Sequence, residues 1–294
     1  MRNKKRLSSL LLILVFIFVF FVVKNNLHKI LPQKSKKVFT TLKKNEIKEI
    51  DIETNDKKIK IDKKNDFWII KKEGVVFNAD KERIEKIIDA FINLEKEEIA
   101  STNQKNFKNL GIDKQKITLI TNKKKYTVYI GNSPSLEKNY LKVNNENEVF
   151  IASGFSNLLY PDDFRDLNLY LISDENKVNH LTIKIHPQTE FSLTKKNDNW
   201  FIGDKKAKKE RVDYFINDLK TLKANDILPN NTPLPTFFPE LTIVIKENNQ
   251  EKTAYFLKKD ENNYYLQIKE NKQIYQVAAV YVSSFKKEEK DFFE

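Results

Sequence analysis

Cysteine is absent from the 294 residues. That excludes disulfides, thiolate metal sites, a thiol nucleophile and lipid attachment through a cysteine, while leaving the compartment open. Glycine occurs five times, too rarely for the Gly-rich loops that cradle phosphates or dinucleotides. Arginine is as scarce: of 53 basic residues only Arg2, Arg6, Arg83, Arg165 and Arg211 are Arg, leaving 48 Lys. Specific nucleic-acid readout favours Arg concentrated on one face. The net charge of +12 is instead spread along the chain, which argues against a nucleic-acid partner and treats Lys as the default solvent-facing residue. Only three histidines are present, His28, His180 and His186. The last two, six apart on one expected strand, lie about 20 Å apart at about 3.3 Å per residue, so they do not share a metal ion. No HExxH spacing or Gly-x-Ser-x-Gly elbow occurs, and the reading is of a chain without cofactor, metal or catalytic residues.

What is present begins with a basic tail carrying Arg2, Lys4, Lys5 and Arg6, followed by LSSLLLILVFIFVFFVV at residues 7–23. Seventeen uncharged residues at about 1.5 Å each approach the lower limit for crossing a membrane. No small-residue cleavage site follows, so residues 1–30 are expected to be an uncleaved, single-pass signal anchor. The flanking Lys residues nearly balance the basic tail. A large downstream domain translocates regardless of charge, and the preferred orientation places it outside the cytoplasm. Residues 31–45 read as a basic tether.

The remainder is organised around a stretch that occurs twice. DFWII, a short turn and ADKERIEKIIDAFINLEKEEI fill residues 66–99; DNWFI, a turn and AKKERVDYFINDLKTLKANDI fill residues 198–227. Trp68 matches Trp200 and Arg83 matches Arg211. Ile84, Ile87, Ile88, Phe91 and Leu94 match Val212, Phe215, Ile216, Leu219 and Leu222. These apolar positions follow i, i+3, i+4, i+7 and i+10, one stripe of an amphipathic helix. Upstream, EIKEIDIE at 46–53 aligns with VNHLTIKI at 178–185; downstream, ITLI at 117–120 aligns with LTIV at 241–244 and NYLKV at 139–143 with YYLQI at 264–268. Period-two alternation predicts strands with one buried face. Tandem duplication explains the conserved order, giving repeat 1 at 46–173 and repeat 2 at 177–294. The fold class is α+β: a transmembrane helix, then two repeats, each a mainly antiparallel sheet packed by one main helix. Both Trp side chains are expected in the core, with Asn78 or Asp80 capping the first helix.

Two stretches stand outside the repeat pattern. LPNNTPLPTFFPE at 228–240 carries Pro229, Pro233, Pro235 and Pro239, which exclude helix and central strand. Its Phe237 and Phe238 are expected to tuck the loop onto the sheet, and the loop is a candidate partner-binding surface. Asp162, Asp163 and Asp166 with Arg165 form a dense acidic cluster that could suggest paired carboxylates for glycoside hydrolysis; Pro161 just ahead of them instead predicts a capped helical turn.

The Trp strand, the AD-initiated helix, NLGID at 109–113, YTVYIGN at 126–132, NYLKV, VFIAS at 149–153 and FRDLNL at 164–169 together resemble the bacterial family called domain of unknown function 4340. The resemblance covers both copies. It implies a protein anchored by one N-terminal helix and an auxiliary, extracytoplasmic role beside an ABC-type transport system related to gliding-motility components. The family offers no catalytic residues to carry over. The second copy departs from the pattern: the Pro-rich loop replaces NLGID, and FRDLNL has a weak echo in SSFKKEEKDFF. The resulting expectation is a non-catalytic membrane scaffold with protein partners, possible ABC transporter subunits among them. Two alternatives stand beside it. A cell-envelope glycan-binding protein or glycan-acting enzyme using the Trp strands predicts an exposed Trp in a carboxylate-lined cleft. A Lys-driven binder of anionic lipid or nucleic acid requires steep salt dependence.

Overall fold

The computed structural model describes residues 36–229, 232–236, 238–270 and 273–293. The expected anchor at 7–23 lies outside these residues, as does Phe237. No helix among the described residues is long and apolar enough to cross a membrane. The chain divides into two compact units, between Asp166 and Leu167.

In unit one, β1 (Lys36–Lys37), β2 (Ile47–Glu53), β3 (Lys58–Lys64), β4 (Phe67–Lys72) and β5 (Val75–Asn78) precede helix α1 (Lys81–Ile92). After it come β6 (Glu95–Lys96), β7 (Glu98–Ser101), β8 (Gln115–Thr121), β9 (Lys125–Ile130), β10 (Lys138–Val143) and β11 (Val149–Ser153). Nine of these strands form one antiparallel sheet in the order β5-β4-β3-β2-β8-β9-β10-β11-β7. The order explains the helix. After the β2–β5 meander reaches one edge, α1 crosses a face of the sheet to β7 at the other edge, and β8 returns to pair with β2 in the middle.

Unit two repeats this plan. It contains β12 (Val178–Ile185), β13 (Thr189–Lys196), β14 (Asn199–Ile202), β15 (Lys205–Lys206), α2 (Lys209–Thr221), β16 (Asp226–Leu228), β17 (Leu241–Glu247), β18 (Gln250–Lys258), β19 (Asn263–Ile268), β20 (Ile274–Ala278) and the short helix α3 (Ala279–Phe285). The sheet order is β15-β14-β13-β12-β17-β18-β19-β20-β16. Each unit closes its core between sheet and helix: Ile84, Ile87, Ile88 and Phe91 of α1, and Val212, Phe215, Ile216 and Leu219 of α2, are buried. Trp68 and Trp200 are buried in the same cores.

The ladders correct the alignment of the copies. A bulge after Ile47 in β2 and after Val178 in β12 sends the first residue inward and delays the alternation by one. Ile47, Ile50 and Ile52 therefore correspond to Val178, Leu181 and Ile183, one position from the sequence alignment. A period-two pattern read without its bulge slips by one residue. By the same ladders, Ile117 and Leu119 correspond to Ile243 and Ile245.

The duplication also begins earlier than expected. Residues 36–42, part of the stretch read as a tether, belong to the fold: β1 pairs with β6, the Val38 amide donates to the Leu94 carbonyl at 2.9 Å, and Phe39 and Leu42 are buried. The counterpart arm opens unit two, where the Leu169 amide donates to the Leu222 carbonyl and Leu171 and Ile172 are buried. The copies also close alike. The amide of Asp80, ahead of α1, donates to the Phe164 carbonyl at 2.8 Å; the amide of Lys208, ahead of α2, donates to the Phe292 carbonyl at 2.9 Å. The Asp80 side chain caps α1 by accepting from the Arg83 amide, whereas Lys208 offers α2 no side-chain cap.

Candidate functional site

Four prolines remove four backbone donors from 228–240, and polar contacts hold both ends of the loop. At its start the Thr232 amide and hydroxyl both donate to the Pro229 carbonyl, at 2.9 and 2.7 Å. At its end Glu240 accepts from the Tyr264 hydroxyl at 2.8 Å and from Lys286 Nζ at 2.7 Å, and Lys286 also reaches the Tyr264 oxygen at 3.1 Å. The Lys286 contact, followed by that of Tyr264, holds the Glu240 carboxyl below the usual range. Burial pulls on Lys286, yet its bonds to Glu240 and Tyr264 raise its pKa. Sequence reading missed this triad, whose members lie 22 to 46 residues apart.

Between the anchors, Pro229 and Pro233 are exposed, while Pro235 and Pro239 are half-buried. Phe238 does not bury itself against the sheet. It is 74% exposed, and its ring stacks on His186 at 5.2 Å between centroids. The sheet's inner face is already filled by α2 and the aromatic cluster of Phe215, Phe285 and Phe292, which leaves the loop's ring outside. Phe238 and Pro239 with His186, Pro187 and Thr242 line an open cavity of about 300 Å³.

The other singled-out residues have structural surroundings. His180 faces hydroxyls, with Nδ1 3.0 Å from Thr194 Oγ1 and Nε2 3.1 Å from Thr182 Oγ1; burial, then Lys246, lowers its pKa. The segment 161–166 forms no helix, contrary to the sequence expectation. Arg83 takes the carbonyls that a helical turn would keep, donating to Leu158, Pro161 and Asp163 oxygens while its guanidinium lies 4.0 Å from the Phe164 ring centroid. The Arg165–Asp163 pair is present, with Arg165 Nε 3.0 Å from Asp163 Oδ1. Asp162 is held by Lys57. Each of these two carboxylates thus has a basic partner. Arg211 borders a small cavity with Phe292 and Asp291, in the position matching Arg83 beside Phe164. Among the described residues no three His, Asp or Glu side chains cluster to hold a metal ion. Trp68 and Trp200 are 8% and 2% exposed, so neither indole is a free stacking platform.

The motifs of the family resemblance meet in unit one. The amide of Asn132, from YIGN, donates to the Leu110 carbonyl of NLGID at 2.8 Å, and the Asn132 side chain donates to the Asn109 carbonyl at 3.1 Å. Two backbones touch here, and Gly111 and Gly131 make the room. Residues 68–238, more than half of the chain, match the family described as "Domain of unknown function (DUF4340)". The chain belongs to this family. No curated protein and no solved structure matches it. The DUF4340 match runs from the Trp of β4 to Phe238 in the Pro-rich loop, so most of that loop, up to Phe238, lies within the shared region although it replaces NLGID in the second copy.

Proposed function

We propose that this DUF4340 protein is a non-catalytic scaffold: a single-pass protein of the bacterial cell membrane whose folded units lie outside the cytoplasm and serve as an auxiliary subunit of an ABC-type transport complex. The apolar run at 7–23 supports the anchor. Phe238 is the observation that carries the docking role: a large ring, 74% exposed, held at the surface on a loop fixed by Glu240. Aromatic rings, Phe among them, are enriched in protein interfaces relative to the rest of the surface. The association with ABC-type transport rests on the family resemblance.

The test is crosslinking in intact cells, detergent solubilisation, capture through a tag after Glu294 and mass spectrometry. Recovery of ABC permease and ATPase subunits, reduced several-fold by Phe238→Ser, is the expected result. Recovery of the protein alone, or equal recovery by the variant, would sink the proposal.

A further inference from the structure

We infer that unit two carries an oligosaccharide-binding cleft along α2, with Tyr214 as its stacking ring. This goes beyond the scaffold reading and does not rest on it. Helix α2 has two stripes. One is the buried apolar set described above. The other, Glu210, Asp213, Tyr214 and Asn217, is spaced i, i+3, i+4, i+7 and therefore lies on a single face. That face borders a cavity of about 480 Å³, walled on its other sides by Trp200 and Lys195 and by Glu175 and Asn176. The volume falls within the usual range for small-ligand sites.

Tyr214 is 69% exposed and borders a second cavity of about 200 Å³, where Asp218 and Asp291 are balanced by Arg211 and Lys287 beside Phe215 and Phe292. Tyr214 thus borders two hollows, each with charged side chains in its lining, an arrangement that suits a chain of sugar rings better than one compact ligand. A pyranose presents an apolar C–H face to an aromatic ring and a rim of hydroxyls to planar amides and carboxylates. The Asn217 amide and the Glu210 carboxylate are exposed beside the ring. An anionic ligand fits poorly: Glu175, Glu210 and Asp213 line the larger cavity, and its two lysines already pair, Lys209 with Asp213 and Lys195 with Asp198.

The first copy supplies an internal comparison. At the four matching positions α1 carries Glu82, Glu85, Lys86 and Asp89, an all-charged face, with Asp89 paired to Lys44 at 3.6 Å. The second copy has exchanged Lys for Tyr and Asp for Asn. It has lost one charge of each sign and gained a ring that lies outside its core.

The test is isothermal titration calorimetry of the full chain in detergent with two probes, an N-acetylglucosamine tetramer and cellohexaose. Saturable heat with at least one is expected, with Tyr214→Phe retaining affinity and Tyr214→Lys, the residue of the first copy, weakening it about tenfold, as loss of a ring contact should. The exposed position lets both variants fold, and thermal melts verify this. No saturable heat with either saccharide, or unchanged affinity in Tyr214→Lys, overturns the inference.

Discussion

Gly131 faces the carbonyl oxygen of Leu110 so closely that a Cβ at this position would sit far inside van der Waals contact with it. The contact is backbone against backbone, so no side chain can swing away. Gly131→Ala is expected to lower the stability of unit one by about 1–3 kcal/mol. Gly154→Ala is the control: its φ of +90° disfavours a side chain, but no atom lies within 4 Å of the added methyl, so its cost is the backbone term alone, about 1 kcal/mol. Urea denaturation of the two variants, compared by midpoint, checks the difference.

The missing cap of α2 offers a gain. Lys208 occupies the N-cap position with extended backbone and no side-chain hydrogen bond, and its charge opposes the positive end of the helix dipole. Lys208→Asp reproduces what Asp80 does for α1 and is expected to add about 0.5–2 kcal/mol. Asp80→Ala should lose a similar amount from unit one. Thermal melts of the two variants should move in opposite directions.

Those caps also mark how much the sequence could reveal. The two main helices and most strands were legible because their periodicity runs for four or more residues, and burial of Trp68 and Trp200 followed from their place in it; the short α3 was not foreseen. The arms at 36–42 and 167–173 were not, since a two-residue strand such as β1 has no period and Lys36–Lys37 resembles a solvated linker. The Phe164 and Phe292 contacts are made by carbonyls, which carry no residue signature. The turn at 161–166 looked like a capped helix because Pro161 and the acids after it are good helix starters; a residue some eighty positions upstream, Arg83, withdraws the carbonyls. In the candidate site, the loop was visible through its prolines. Tyr214 could have been found by following the second stripe of α2, whose spacing is as regular as the buried one.

The anchor of the Pro-rich loop should respond to pH. The carboxyl of Glu240 is depressed by Lys286 and then Tyr264, so its contribution is present above the ordinary Glu range near pH 4.3 and is lost as pH falls through its lower folded value. Lys286 is raised through Glu240 and Tyr264 against the pull of burial; its contribution is present below the ordinary Lys value and is lost as pH rises through the folded one. Glu240→Gln should therefore flatten the acid side of the stability profile of unit two and lower the plateau between the limits. Denaturant midpoints for both proteins between pH 3 and 8, read as about half-unit steps, test this; parallel curves would contradict it.

Arg83 should resist even its closest replacement. Its guanidinium donates in two directions, to the Asp163 carbonyl and to the Pro161 carbonyl, while it lies over the ring of Phe164. A lysine ammonium can reach one of these carbonyls but has neither the fork nor the flat face. Arg83→Lys therefore leaves at least one carbonyl of the 158–163 segment without its donor and uncovers Phe164, at a cost of about 1–3 kcal/mol. The loss is local to the segment that the Asp80 amide and Phe164 hold against α1. Hydrogen exchange followed by mass spectrometry should show faster exchange in residues 155–166 and at the start of α1, with the strands of unit two unchanged. Uniform acceleration across both units, or none, would show that the arginine does not clamp this segment.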